Sequence, residues 1–124
     1  TGEDATRMVV AVSGLPRSEL EALVNVTVLE ETPTHILIET ERFRLFTRLA
    51  EQIAAAGGEI VEIAGNDDIM FTALSDMSSH PDALFSFPRQ GYDDHRHLIV
   101  VKVAELTDRL RNMGALRLEH IHDY

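Results

Sequence analysis

"HILIETERFRLFTRLAEQIAAAGGEIVEI", residues 35–63, is the stretch whose reading decides how this chain folds. "HILIET" is apolar, rich in β-branched residues and followed by charge, the pattern of a strand. In "ERFRLFTRLAEQIAAAGG", Phe43, Phe46, Leu49, Ile53 and Ala56 recur at intervals of three and four. That spacing predicts an amphipathic helix, and Gly57-Gly58 supplies its stop. "EIVEIA" then reads as a second strand. The stretch is therefore one strand–helix–strand unit, and its order recurs in "HLIVVKVAELTDRLRNMGALRLEHI", residues 97–121. Setting Gly57 against Gly114 brings Val61 onto Leu118 and Glu62 onto Glu119, which points to an internal repeat.

The remaining segments follow the same grammar. "RMVVAVSGL" reads as a strand ended by Gly14. In "PRSELEAL", Pro16 takes a first-turn position, and Ser18 with Glu21 three residues on forms a capping box opening a short helix. "VNVTVLEE" alternates as a half-buried strand does. "EIVEIA" and "IMFTAL", joined by "GNDD", read as a hairpin. Residues 75–94 read as a long loop, with a turn of helix expected near Ser79. The expected fold class is α+β: a ferredoxin-like βαββαβ core over 7–65, a hairpin strand and long loop over 66–95, and a third βαβ unit over 96–124. Together they form one domain, 7–124. Right-handed crossovers would place the helices mainly on one face of a largely antiparallel sheet, leaving the other face bare. In topology this plan resembles small regulatory domains of the ACT type and other ferredoxin-like modules, with no residue motif carried across.

Composition narrows the function classes. The chain has 124 residues and a formal charge of −10. All its bases except Lys102 are arginine. An acidic surface repels phosphate backbones, and the one dense basic stretch, with Arg42, Arg44 and Arg48, sits among acids on the predicted helix. Nucleic-acid binding is not expected. Neither is membrane insertion, since no run approaches about 18 apolar residues. With no cysteine, thiolate chemistry and thiolate metal sites are excluded. The chain starts at Thr1, which suits a processed protein or a structural segment of a larger one. A cytoplasmic setting is expected over a periplasmic one.

Three groups of residues are candidates for chemistry. His95 with His97, and His120 with His122, are i, i+2 pairs that strand geometry aligns. Four imidazoles, or three with Asp123, would suit Zn, Cu or Ni. The two pairs, however, start one strand and end a parallel one, so they are expected about 20 Å apart at opposite ends. Asn66, Asp67 and Asp68 bunch two carboxylates and an amide at a turn, which would serve a cation or simply the turn itself. Phe85, Phe87, Arg89 and Tyr92 in the long loop could line a pocket for a small anionic ligand.

No nucleophile frame, dinucleotide loop or P-loop is present. The expectation is a non-enzymatic ligand-binding or regulatory domain, self-associating as a homodimer through its bare sheet face and needing no cofactor. The rival is a metal-binding protein or metal-dependent enzyme built on the histidine pairs.

Overall fold

The computed structural model describes residues 7–122, so Asp123 lies outside the described residues. The elements run β1 (Arg7–Ser13), α1 (Arg17–Glu21), β2 (Thr27–Glu31), β3 (Ile36–Glu41), α2 (Arg44–Ala55) and β4 (Glu59–Ile63). They continue as β5 (Asp68–Ser75), β6 (Phe85–Pro88), β7 (His95–Lys102), a 3₁₀ turn (Val103–Glu105), α3 (Leu106–Arg111) and β8 (Arg117–His122). The fold is α+β, with two four-stranded sheets in the orders β2-β3-β1-β4 and β6-β7-β5-β8. Every ladder is antiparallel.

The second order repeats the first: second, third, first and fourth strand of each half. The sequence echo thus lines up equivalent elements, β3–α2–β4 with β7–α3–β8. One element is missing from the repeat. Where the first half crosses from β1 to β2 through α1, the second crosses from β5 to β6 through a turn at His80–Ala83, closed by Ala83 N–H to the His80 carbonyl at 3.1 Å. No helix forms near Ser79.

Several expectations need correction. The later strands, open from sequence to either extending the first sheet or beginning a second half-domain, build a sheet of their own. β4 and β5 do not form a hairpin, because β7 and β8 already occupy both edges of β5. Only an isolated bridge, Ile63 to Asn66, links the two across the turn. That turn needs left-handed backbone, supplied by Ala64 (φ 48°) and Gly65 (φ 77°). The long loop contains β6, which pairs with β7 from Phe85 opposite Leu98 to Pro88 opposite His95. The capping box is absent: Pro16 occupies the N-cap itself, so Glu21 lies beyond the third helical position and bonds Arg17 Nε at 3.2 Å. Finally, α2 buries Phe46, Leu49, Ala50, Ile53 and Ala54, while Phe43 is the exposed N-cap residue with φ 68°.

Alternation assigns the faces. In the first sheet Met8, Val10, Val12, Ile36 and Ile38 are buried. In the second, Ile69, Phe71, Ala73, Ile99, Val101 and Ile121 are buried, and they join the first set in one core. The helices cross between the halves: α2 touches β8, and α3 touches β4. Each carries one buried threonine that reaches the other half. Thr47 Oγ1 accepts the Ile121 N–H of β8 at 3.0 Å. Thr107 Oγ1 donates to Glu59 at the start of β4. Arg111 completes the joint, donating to the Ala54 and Gly58 carbonyls at 3.1 Å each and pairing with Glu59. The Ala54 carbonyl lies in the last turn of α2, where it also accepts the Gly57 N–H at 3.2 Å and where the helix dipole favours a cation.

The Thr47 bond yields a test. Thr47→Val keeps the shape but leaves a buried β8 amide without an acceptor, which should cost about 1–3 kcal/mol. The urea midpoint should fall accordingly, and Thr47→Ser, which retains the hydroxyl, should lose less. Equal losses for Val and Ser would assign the effect to packing.

Candidate functional site

On the second sheet, the face away from the core is open. The pleat and register place Met70 and Thr72 of β5, Arg96 and Leu98 of β7, Phe87 of β6, and His120 and His122 of β8 on it together. These residues, with Glu119 and with Arg44 from the first turn of α2, line a groove of about 570 Å³. Arg44 reaches this rim because Thr47, one turn on, is tied to the edge of β8. The floor is apolar at Met70, Leu98 and Phe87, and the walls are ionisable, the composition typical of a small-molecule site.

The polar groups are ordered. Arg96 grips Glu119 with two parallel bonds, Nε to Oε1 at 2.7 Å and Nη2 to Oε2 at 2.6 Å. The pair spans β5, linking β7 to β8 across the groove floor. The Arg96 hydrogen bond is the main reason the Glu119 carboxyl lies below its ordinary range, with partial burial opposing it and Thr72 assisting. Arg96 and Glu119 therefore cancel each other's charge, and Arg44 remains as an exposed cation at the rim. His120 and His122 stand edge to face, ring centres 4.6 Å apart at 70°.

His95 and His97 point the other way. Their register with Ser75 and Ala73 puts them on the inner face. His97 is fully buried. It sits between two serine hydroxyls, Ser75 Oγ 2.7 Å from Nε2 and Ser86 Oγ 2.7 Å from Nδ1. A serine–imidazole contact of this kind can activate a nucleophile, but both Ser75 and His97 are closed to solvent. Their position explains the contact: they fill the space left by the missing crossover helix, with His80 lying over His97 at 6.0 Å between ring centres.

The two histidine pairs are thus separate, for a reason other than the one expected. His97 lies beside Ala73 and His120 beside Thr72, so they are neighbours in level along β5 and not at opposite ends of the sheet. What divides them is the sheet itself, since they stand on opposite faces. Among the described residues, no group of three or more His, Cys, Asp or Glu side chains is arranged to hold a metal ion.

The loop residues divide as well. Phe85 and Phe87 share the open sheet face, Phe85 largely exposed. Arg89 and Tyr92 belong to the β6–β7 turn. There Arg89 binds Asp94 through two bonds of 2.8 Å and lies 3.6 Å over the Tyr92 ring. Asp94 also takes Arg117 at 3.0 Å. Its pKa is lowered first by the Arg89 hydrogen bond, burial opposing and Arg117 adding. Arg89 is therefore committed within the turn, and the four residues do not converge on one pocket. Asn66, Asp67 and Asp68 are exposed and line a different hollow of about 610 Å³ with Lys102. Their clearest duty is backbone: Asn66 N–H bonds the Ile63 carbonyl at 2.8 Å, and the Asp67 carbonyl accepts Val103 N–H at 2.9 Å.

Arg44, Met70, Thr72, Arg96, Leu98 and Glu119 were not singled out from sequence. A signal existed for Arg96, which alternation sets on the face opposite His95 and His97. Compared with known proteins, the chain matches no family, no curated protein and no solved structure. Among the described residues, no helix is long and apolar enough to cross a membrane.

His97 makes stability depend on pH. Burial above all, and then His80 and His95, lowers its pKa from the ordinary 6.5. Above pH 6.5 both folded and unfolded chains hold it neutral, and its full contribution is present. As pH falls below 6.5 the unfolded chain takes the proton first, so stability is lost. The urea midpoint should drop between pH 7.5 and pH 5. His97→Gln should lower the midpoint at pH 7.5 and shrink the pH-dependent drop; an unchanged drop would assign the acid sensitivity to other groups.

Proposed function

We propose that this chain is a non-enzymatic binding domain, built of two ferredoxin-like halves, that holds a small anionic molecule on the open face of its second sheet. The observation that carries the reading is the groove: an apolar floor at Met70, Leu98 and Phe87 under an exposed cation, Arg44, with two imidazoles along one wall. Among the described residues, the carboxylate that lines the groove, Glu119, is already matched by Arg96, so its charge is not left to oppose a ligand's. Met70 and Leu98 of the floor lie on β5 and β7, whose neighbours fix them on both sides, Phe87 lies on the edge strand β6, and the Arg96–Glu119 bridge links β7 to β8 across β5. Such a surface is formed before the ligand arrives, which keeps the ordering cost of binding low. Among the described residues, the serine–imidazole contacts are those of His97, on the other face of the sheet from the groove.

Self-association belongs to the same reading. The outer face of the first sheet presents Val9, 42% exposed, beside Leu37, ringed by the Arg7–Glu39 pair at 2.7 Å. A second copy meeting that face would cover the apolar centre and leave the charged rim wet. Sedimentation at high concentration should show a dimer that weakens on Val9→Glu; a monomer throughout would remove this part.

The groove itself is tested by titrating ¹⁵N-labelled protein with benzoate and with inorganic phosphate. Amide shifts should concentrate at Thr72, Leu98 and His120. Arg44→Ala should weaken binding about tenfold, the scale of one charge-assisted hydrogen bond. Shifts scattered outside the groove, or equal affinity in the Arg44→Ala variant, would refute the site.

A further inference from the structure

We propose that the ligand of the open face is a free amphiphilic carboxylate, its head at Arg44 and a single apolar tail of about ten carbons laid across the strands to Phe85 and Val100. This deepens the anion-binding reading and rests on it.

The register sorts the open face into rows that run across the strands. Val100 of β7, Met70 of β5 and His122 of β8 form one row. Phe85 of β6, Leu98 of β7, Thr72 of β5 and His120 of β8 form the next. Same-face residues two apart on a strand are separated by about 6.6 Å, so the furrow between these rows is one hydrocarbon tail wide. On the far side of the second row the face is crossed by the Arg96–Glu119 bridge, which spans β5. The course left open to a tail is the furrow between Met70 and Val100 on one side and Thr72, Leu98 and Phe85 on the other.

Polarity changes along this furrow from one edge of the sheet to the other. At the β8 end stands the exposed cation, Arg44, beside the imidazole side chains. Met70 and Leu98 wall the centre. Past them, Val100 is 44% and Phe85 67% exposed, so apolar surface continues beyond the groove itself. β8 and β6 are the two edges of this sheet, and three strand spacings put them about 14 Å apart. A compact anion held at Arg44 covers none of the apolar stretch. A zigzag of carbon–carbon bonds advances about 1.3 Å per atom, so about ten carbons reach from the cation to Phe85. A guanidinium takes a carboxylate head through two parallel bonds. The tail gains by covering side chains that otherwise meet water. The head belongs to a free molecule and not to a bilayer, because a protein of formal charge −10 is repelled by an extended anionic surface while one monoanion meets Arg44 locally.

The probes are butanoate, hexanoate, octanoate and decanoate, each kept below micelle formation and titrated into the protein by calorimetry. Full burial of a methylene is worth roughly fourfold in affinity, so an open furrow covering part of each should give about twofold per methylene. The double variant Phe85→Ser/Val100→Ser, at two exposed positions, should flatten the rise from hexanoate to decanoate and leave butanoate unchanged. Arg44→Ala should weaken all four acids by a common factor. An unaltered far-UV spectrum checks that each variant is folded. Wild-type affinity that does not grow with tail length overturns the proposal; butanoate still weakened by Arg44→Ala would then spare the groove. A rise that persists undiminished in the double variant also overturns it, since the tail must then lie elsewhere. So does flotation of the protein with phosphatidylserine–phosphatidylcholine vesicles, which would make a bilayer the partner. Butanoate affinity unmoved by Arg44→Ala would sink the groove reading itself.

Discussion

Each half of this protein depends on a helix held by the other, and Arg111 secures the exchange. Its guanidinium donates to two carbonyls around the end of α2 and pairs with Glu59, so one side chain ties α3 to the C-terminus of α2 and to the first residue of β4. An arginine suits the task because its planar fork can serve several acceptors at once. Thr107 adds a second bond to Glu59. That bond is the largest cause lowering the Glu59 carboxyl below its ordinary range, burial opposing and Arg111 reinforcing it. On the opposite side of the joint, Thr47 accepts the β8 amide of Ile121. The second half has only the short α3 and a turn over its inner face, so α2 supplies cover that its own chain segment lacks. The single continuous core follows from this sharing.

The same joint positions the groove. Fixing Thr47 to the edge of β8 carries the first turn of α2, and with it Arg44, to the rim of the second sheet's outer face. The exposed charge at the rim of this face therefore comes from the first half, while its floor comes from the second. A site assembled this way depends on docking of the halves and not only on either sheet. Within the floor, Arg96 and Glu119 satisfy one another across β5, which leaves the field of the groove to Arg44 and the imidazoles.

Two copies of one motif meet opposite fates here. Both "HRH" and "HIH" align two imidazoles on one strand face. In β7 that face is the interior, where burial favours a neutral ring and two serines satisfy it. In β8 it is the open face, where both rings line the groove. The difference lies wholly in which side of each strand the core occupies. It also separates a buried histidine, held by two serines, from a pair on the groove wall.

Much of the architecture was legible in the chain itself. Local periodicity and Gly57-Gly58 marked α2, and the repeat in residues 97–121 marked the equivalent unit of the second half. Spacing set the histidines in aligned pairs, and absent cysteine removed thiolate chemistry. These are local properties, governed by the periods of helix and strand. Three things were settled only by tertiary structure. In "HRHLIVVK" both faces carry apolar residues, Leu98 and Val100 on one and Ile99 and Val101 on the other, so alternation could not say which was buried. The hairpin of β4 with β5 was sensible locally but lost to β7 and β8, distant strands that take both edges of β5. Arg44 read as a charge on a solvated helix because nothing near it in sequence reveals β8. Periodicity describes a segment's own faces; what lies against each face is decided by segments tens of residues away, and the groove exists only where they meet.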